Sequence, residues 1–273
     1  MNVFTHSAPT AWRATPLVRA SALLHGAAAG FTALHPHWWP WALGGVMADH
    51  LLLTGLGLWP RSRALGSNWT RLPPAAAARG EVAITFDDGP DPAVTPQVLS
   101  ILNARQVRAT FFCIGERAEQ HASCVRACVA AGHAVENHSY HHRHNFALLG
   151  PARLRDELLR AQDALARVSG SPPRFFRAPA GLRNLLLDPL LQRQGLQLAS
   201  WTRRGFDTFS DNAERIITRL TRELRAGDIL LLHDGHAARS PAGVAVVLEV
   251  LPRLIDAIVQ RALHPVTLRE ALR

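Results

Sequence analysis

Lysine is absent from this sequence of 273 residues, although the chain has 30 basic residues, all of which are arginine. We attribute this exclusive use of arginine to the base composition of the genome before any functional preference. The formal net charge is +9, but the arginines form no basic block and do not alternate with aromatic residues. A nucleic-acid-binding surface is therefore not predicted. An anionic partner, such as a membrane surface or a phosphorylated substrate, is compatible with the charge.

Cysteine is also scarce, since the chain contains only Cys113, Cys124 and Cys128. Three cysteines do not make a disulfide framework. Cys124 and Cys128 are one helical turn apart, so they could share a metal ion. The favoured interpretation is that they are small apolar positions on a helix.

Charged residues are nearly absent from the segment 20–60, where no arginine occurs and Asp49 is the only acidic residue. A transmembrane helix needs about 20 apolar residues. The segment contains two candidates, at 20–36 and 41–59, separated by a loop rich in histidine, proline and tryptophan. We therefore predict a membrane-anchoring helical hairpin over residues 1–60. One uncleaved signal anchor followed by an amphipathic helix is the alternative.

Tryptophan and arginine flank the two predicted spans. The predicted aromatic belts are formed by Trp38, Trp39 and Trp41 at the turn and by Trp12 and Trp59 at the open end. Arginines precede the first span and follow the second, but the loop between them has none. The positive-inside rule then places both ends, and everything after the hairpin, in the cytoplasm at the inner membrane. With a single span, the rest of the chain would lie outside.

The hairpin also predicts one polar contact. With its turn near residues 36–39, His25 on the first helix lies at about the depth of Asp49 on the second. A carboxylate in the middle of a bilayer costs about 2.5–3.5 kcal/mol on insertion scales. Because pairing lowers that cost, we predict a contact between His25 and Asp49.

The chain beyond the hairpin alternates apolar and amphipathic segments. Residues 61–80, with paired prolines and an alanine run, predict a linker. Alternation over 81–273 indicates βαβ units with a parallel sheet, and seven strands favour a barrel over an open sheet. Strands are predicted at 82–86, 109–114, 134–136, 174–177, 197–201, 229–233 and 265–267. Helices are predicted at 95–105, 117–131, 151–168, 186–194, 211–225, 242–262 and 268–272.

Polar side chains follow the first and third predicted strands. Asp87 and Asp88 end the first strand, and adjacent carboxylates stay ionised only beside a cation or a strong donor. His138 and His142 follow the third strand, four residues apart, so that one helical turn would present both on one face. Two imidazoles and one carboxylate are a common zinc-type ligand set with an open position for water. Two neighbouring histidines are expected to face solvent: His141 and His144.

Three later strand ends add further polar groups to the same edge. Arg177 precedes a Pro-Gly turn at 178–181 that can aim a backbone N–H at a substrate oxygen. Trp201 and Asp207 follow the fifth strand. His233 ends the sixth strand, which is strongly apolar.

In their order and spacing, five segments resemble the five motifs of the polysaccharide deacetylase family, the NodB-homology group of carbohydrate esterase family four. The segments are Thr85–Pro90, His138–His142, Arg177–Gly181, Asp207 and Leu231–His233. The resemblance covers about residues 81–270 and leaves out the hairpin. It implies an α/β fold, a distorted (β/α)7-type barrel, which agrees with the number of predicted strands.

The resemblance further implies a metal site and a base. Asp88, His138 and His142 would be the ligands of a divalent metal, with zinc favoured. Asp87 would be the general base that takes a proton from water.

The resemblance also implies how the other groups act. His233 would be the general acid, and Asp207 would pair with it. Arg177 would hold Asp87 in place. Ala180 would supply its backbone N–H to the oxyanion.

The chain departs from the family pattern around the substrate. Arg204 stands where many members have aspartate, Thr208 where they have tryptophan, and Ala180 where they often have tyrosine. We predict that Ala180, Trp201 and Arg204 contact the substrate. Arg204 presents donors that fit a phosphate, or it pairs with a local acid such as Asp211.

These observations predict a metal-dependent hydrolase that removes an N-acyl group, with acetyl favoured, from an amino sugar. With the barrel in the cytoplasm, the predicted substrate is linked to a polyprenyl phosphate at the inner membrane. With the barrel outside, it would act on peptidoglycan or exopolysaccharide. A catalytically silent sugar-binding or scaffold protein is the hypothesis from another class.

Overall fold

The N-terminal apolar segment forms a helical hairpin in the computed structural model, which describes residues 12–273. Helix α1 (Pro16–Leu34) and helix α2 (Trp39–Gly57) are joined by a short 3-10 helix at Pro36–Trp38. Each long helix has 19 residues. At about 1.5 Å per residue this length approaches the roughly 30 Å of a hydrocarbon core. Among the described residues, only α1 is both long and apolar enough to cross a membrane, and α2 falls short.

Polar groups meet between the two hairpin helices. Ser21 Oγ donates a hydrogen bond of 2.6 Å to Asp49 Oδ2, and His25 Nδ1 lies 3.9 Å from the same oxygen. His25 Nε2 lies 3.0 Å from His50 Nε2. His25 and Asp49 therefore face each other as predicted, at the outer limit of an ion pair, but Ser21 is the closer partner of the Asp49 carboxylate.

The segment 61–80, predicted as a linker, packs closely against the barrel. Leu72 and Ala76 are buried, and the Leu72 N–H donates to the carbonyl of Gly227 at 2.8 Å. Trp69 forms a parallel bridge with Ala199. Helix α3 (Pro74–Ala78) then leads directly into the first strand.

The rest of the chain alternates strands and helices as predicted. The strands are β1 (Glu81–Asp87), β2 (Thr110–Cys113), β3 (Ala134–Asn137), β4 (Phe175–Phe176), β5 (Gln197–Leu198), β6 (Arg203–Arg204), β7 (Ile229–His233) and β8 (His264–Pro265). The helices are α4 (Thr95–Ala104), α5 (Gly115–Gln120), α6 (Ala122–Ala130), α7 (Pro151–Ser169), α8 (Leu187–Arg193), α9 (Ala213–Thr221) and α10 (Val246–Val259). Further 3-10 turns lie at Phe146–Leu148, Pro179–Gly181 and Glu270–Leu272.

All strand pairs of the sheet are parallel, in the order β5-β4-β3-β2-β1-β7-β6, with β8 beside the start of β1. β5 and β6 lie on one continuous segment that pairs with β4 at its beginning and with β7 at its end. This bent segment joins the two edges of the sheet, so the predicted distorted barrel is confirmed. The predicted strand 197–201 is shorter than expected, because regular pairing with β4 ends at Leu198 and the chain then bends towards β7, where Arg203–Arg204 form a strand that was not predicted.

Two other predicted elements differ in detail. The predicted helix 117–131 is split at His121, whose φ of −122° and ψ of 48° are not helical. The predicted last helix, 268–272, is a 3-10 turn at Glu270–Leu272.

The apolar core lies between the sheet and its surrounding helices. Phe86 of β1 and Phe111 of β2 stack with their ring centroids 4.9 Å apart. α10 contributes a continuous buried face, including Val250 and Leu254. Because the strands are parallel, this core holds their carboxyl ends at one rim, where sites of α/β barrels lie.

Candidate active site

Three side chains from two strand ends converge into a metal-type cluster. Asp88 Oδ1 lies 3.2 Å from His138 Nε2 and 3.1 Å from His142 Nε2. One ligand atom from each residue lies within 4.8 Å of those of the other two. Asp88 and His142 have φ values of 70° and 52°, so each side chain leaves a turn and not a regular strand or helix. The predicted helical turn is therefore wrong, although the two histidines do share one site.

The donor set fits a divalent cation. His138 Nδ1 lies 2.8 Å from the carbonyl oxygen of Arg177, and this hydrogen bond directs Nε2 towards Asp88. Such a second hydrogen bond fixes the tautomer and orientation of a metal-binding imidazole. Burial, and then the neighbouring His138, lower the pKa of His142 to about 4, so its imidazole is neutral at pH 7. Burial opposes ionisation of Asp88, but hydrogen bonds from His138 and His236 hold its pKa well below the ordinary value.

Asp87 lies beside this cluster and is held by a buried arginine. Arg177 is 0% exposed, and its Nη1 donates to Asp87 Oδ1 at 2.6 Å. The other Asp87 oxygen, Oδ2, lies 3.8 Å from His138 Nε2. The guanidinium is satisfied further by Thr85 Oγ1 and by the carbonyls of Ala199 and Ser200. One carboxylate oxygen is thus fixed by Arg177 while the other faces the cluster.

His233 stands at the end of β7 and is bound twice by Asp207. Its Nδ1 lies 2.8 Å from Asp207 Oδ1, and its backbone N–H donates to Oδ2 at 2.7 Å. Both residues are buried. Burial alone would lower the pKa of His233, but the Asp207 carboxylate outweighs it, so the pKa is raised. The imidazole therefore holds its proton to higher pH than an ordinary histidine does.

The metal-type cluster, Asp87 and His233 line one cleft of about 500 Å³, together with Ala180, Trp201 and Arg204. Arg177 and Asp207 are not in the lining and reach it through their bonds to Asp87 and His233. Ala180 sits in the 3-10 turn with φ 54°. The N–H groups of Gly181 and Leu182 close this turn, and the Ala180 N–H has no backbone acceptor among residues 12–273. All the predicted site residues thus meet in one place.

The base of the hairpin packs against the turn that carries Ala180. A Cβ added at Gly181 would lie 2.6 Å from both Pro60 Cβ and Trp201 Cη2, so both side chains lie against this glycine. The Arg183 N–H donates to the carbonyl of Gly57, the last residue of α2, at 3.0 Å. The turn that carries Ala180 is therefore in contact with the end of the hairpin.

Several cleft residues were not identified from the sequence. His236 Nδ1 lies 3.4 Å from Asp88 Oδ2, and Arg117 donates to the backbone oxygen of Asp88 at 2.9 Å. Arg117 follows β2, so examining the polar residues after that strand, as was done for the other strands, would have identified it. His236 comes three residues after His233, and its nearness to Asp88 depends on the loop conformation.

Two other sequence expectations can be compared with the structure. His141 does not simply face solvent, because its Nδ1 lies 2.6 Å from Oε1 of the buried Glu157. His144 is exposed, as expected. The cysteines are all buried, and none belongs to a group of three candidate ligands in the described part of the chain. Cys124 and Cys128 thus occupy the apolar positions that were favoured.

Comparison with known proteins identifies the family. Residues 75–199 match the polysaccharide deacetylase family model. A peptidoglycan-N-acetylglucosamine deacetylase of Bacillus cereus is 34% identical over 175 residues, which cover 63% of this chain and 81% of that protein. A chitooligosaccharide deacetylase of Bradyrhizobium sp. is 36% identical over 156 residues, which cover 57% and 71%.

A solved structure of a family 4 carbohydrate esterase from Streptomyces lividans, in complex with acetate, is also similar. It is 34% identical, with a TM-score of 0.62, over 68% of this chain and 91% of that one. The fold and the relatives together define an enzyme of the carbohydrate deacetylase class. The chain belongs to the polysaccharide deacetylase family, as the resemblance of its motifs predicted.

Proposed function

We propose that this protein is a metal-dependent hydrolase that removes an N-acyl group, acetyl in the favoured case, from an amino sugar. The observation that carries the proposal is the meeting of Asp88, His138 and His142 with an arginine-bound carboxylate and an aspartate-paired imidazole in one cleft. Two carboxylates and three histidines in that arrangement can supply a metal site, a base and an acid.

Asp88, His138 and His142 would hold a divalent metal, with zinc favoured by the two imidazoles. When bound, the metal polarises the acyl carbonyl and lowers the pKa of water. Asp87 Oδ2 accepts the proton of the attacking water, while Arg177 fixes Oδ1 and the carboxylate's orientation. The water oxygen then bonds to the acyl carbon.

The negative charge that develops on the acyl oxygen needs a donor, and the free N–H of Ala180 is the candidate. The C–N bond breaks as His233 gives its proton to the leaving amine. Asp207 stabilises the charged imidazole and so keeps the acid protonated before this step. The products are a carboxylate and a free amino sugar.

Paired substitutions test these roles. His138→Ala should abolish both metal binding and activity, because it removes a ligand. Asp87→Asn should retain the metal and lower kcat by about 10²–10⁴, because only the base is lost. Metal content and acetate release are measured on the same samples. Turnover of Asp87→Asn near the wild-type rate would contradict the assignment of the base.

We further propose that the substrate is carried on a polyprenyl phosphate and that the enzyme lies at the inner membrane with the barrel in the cytoplasm. The support is that Pro60, next to the hairpin, and Trp201 of the cleft lining both lie against Gly181. If the hairpin is in the membrane, the cleft wall lies beside the membrane surface. A sugar attached to a lipid could then reach the cleft without leaving the bilayer.

A second candidate keeps the chemistry but places the barrel outside, acting on peptidoglycan or exopolysaccharide. The observation that favours it is that α2 falls short of the hydropathy of a membrane span. With α1 as the only span, the positive-inside rule places the barrel on the other side. Reporter fusions after residue 80 separate the two candidates. A reporter active only in the cytoplasm supports the lipid-linked substrate, and one active only outside contradicts it.

A further inference from the structure

Arg204 is a cationic side chain in the cleft without an anionic partner. Its Nε is shielded from solvent and has no hydrogen-bond partner, and its guanidinium forms no ion pair with an acid among residues 12–273. The predicted alternative partner, Asp211, does not contact it. A shielded Nε without an acceptor has lost hydration that no protein acceptor replaces. An anion in the cleft would supply the missing acceptor.

A second donor in the same cleft is also unsatisfied. Thr208 Oγ1 is shielded from solvent and has no hydrogen-bond partner among the described residues. Thr208 and Arg204 both line the cleft that contains His233 and the metal-type cluster. A group with several acceptor oxygens would satisfy both donors at once, as a phosphoryl group does.

Aromatic rings fix the arginine in this position. Its guanidinium carbon lies 5.5 Å from the ring centroid of Trp201 and 5.0 Å from that of Phe206. Such stacking orients the planar guanidinium while leaving its edge free to donate. The neighbouring Arg203, in contrast, is committed to the fold, because its Nε donates to the buried Asp228 at 2.6 Å.

We propose that Arg204 and Thr208 form a phosphoryl-binding subsite of the cleft, which selects amino sugars that carry a phosphate. The inference rests on the proposed function, because it assigns the site within the same cleft that binds the N-acyl sugar. Two acidic groups of the cleft do not oppose it, since Asp87 is paired with Arg177 and Asp88 belongs to the metal-type cluster. The third acidic residue of the cleft lining, Glu116, is exposed to solvent. The lipid-linked substrate and a soluble glycosyl phosphate share this chemistry.

Binding to metal-loaded, full-length protein in detergent tests the subsite without requiring turnover. The probes are N-acetylglucosamine 1-phosphate and the neutral methyl glycoside of N-acetylglucosamine, measured by calorimetry. Arg204→Ala should weaken binding of the phosphorylated sugar roughly ten- to a hundredfold, since the lost bonds are charge-assisted, and change the neutral sugar little. Thr208→Val should weaken the phosphorylated sugar by a smaller factor. Arg204→Lys should retain part of the preference.

A matched control is available in Arg219. Its guanidinium also lies over Phe206, at 5.4 Å, but it is not part of the cleft lining. Arg219→Ala removes the same charge from the same ring and should leave the preference for the phosphorylated sugar intact. If Arg219→Ala and Arg204→Ala weakened binding of the phosphorylated sugar equally, the effect would come from the overall positive charge and not from a subsite. That result would overturn the proposal.

Further measurements in the same experiment identify the ligand of the subsite. Equal weakening of both sugars by Arg204→Ala, or of neither, overturns the proposal. The same loss for N-acetylmuramic acid, which carries a carboxylate, would overturn selectivity for a phosphoryl group. A sugar on a short prenyl phosphate distinguishes a lipid-linked ligand from a soluble glycosyl phosphate. Tighter binding than that of the free sugar phosphate would indicate the lipid-linked ligand. Equal binding would indicate the soluble one. Acetate release from the neutral sugar is recorded separately, so loss of the subsite and failure of the proposed chemistry give different results.

Discussion

Arg177 is a fully buried cation paired with Asp87, and its replacement tests how the proposed base is held. Arg177→Met keeps much of the apolar stem but leaves Asp87 without its 2.6 Å partner in the interior. Removing one member of a buried ion pair costs about 3–5 kcal/mol, because the remaining charge is uncompensated. For a domain of this size each kcal/mol corresponds to about 2–4 °C in Tm, so we expect a decrease of about 6–20 °C.

The double variant Arg177→Met with Asp87→Leu separates charge from packing. It removes the orphaned carboxylate, but the carbonyls of Ala199 and Ser200 still lack their donor. We therefore expect it to recover at least about 2 kcal/mol relative to the single variant without reaching the wild type. Neither variant should release acetate, because neither has a positioned base.

The assay is thermal unfolding followed by circular dichroism after treatment with a chelator, so that a bound cation does not compensate Asp87. Arg105→Met is the control, since Arg105 pairs with Asp256 on the surface at 3.3 Å. Exposed pairs contribute about 1 kcal/mol or less. If the double variant were no more stable than Arg177→Met, the buried charge would not be the cause of the loss.

Two further predictions concern pH and the hairpin. Because the pKa of His233 is raised in the fold, its contribution to stability is complete below the ordinary value near pH 6.5 and is lost as pH rises through the raised pKa. Asp207→Asn removes the carboxylate that raises this pKa. The alkaline limb of the kcat profile, which reports loss of the His233 proton, should therefore move to lower pH. An unmoved limb would contradict His233 as the acid. In the hairpin, His25→Leu should reduce the amount of membrane-inserted protein, because it removes a polar neighbour of Asp49, and adding Asp49→Leu should restore it. Equal amounts of the single and double variants on a membrane-fraction blot would count against that pairing.

The residues of the candidate site could be predicted because they follow apolar strands of a parallel sheet. Asp87 and His233 end β1 and β7, which are adjacent and in register at these two residues. A strand of this kind is readable from a local run of apolar residues, and its carboxyl end fixes where the next side chain lies. The resemblance of the motifs to those of a known family then suggested a role for each residue, which its position alone does not indicate.

The surroundings of Arg204 could not be predicted in the same way. The departure from the family pattern was visible in the sequence. The stacking on Trp201 and Phe206, and the lack of an ion pair to Arg204 among the described residues, depend on how a bent segment pairs with two different strands. A helix boundary such as that at His121 likewise depends on backbone angles that no local pattern specified. Both are outcomes of tertiary packing, which overrides local preference.

The hairpin, the connecting segment and the barrel appeared as three parts in the sequence, and the contacts between them lead to a different interpretation. Gly181 has φ 74° and is enclosed by Pro60 and Trp201, which are far apart in the chain. Leu72 and Ala76 pack against the barrel in the same buried cluster as Ala83 of β1. Trp69 pairs with Ala199, just after β5. A fragment that begins at residue 81 would expose this apolar surface to water and would lose the wall of the Ala180 turn. The catalytic unit therefore begins before the first strand, and the segment that joins it to the hairpin supports the turn that carries Ala180.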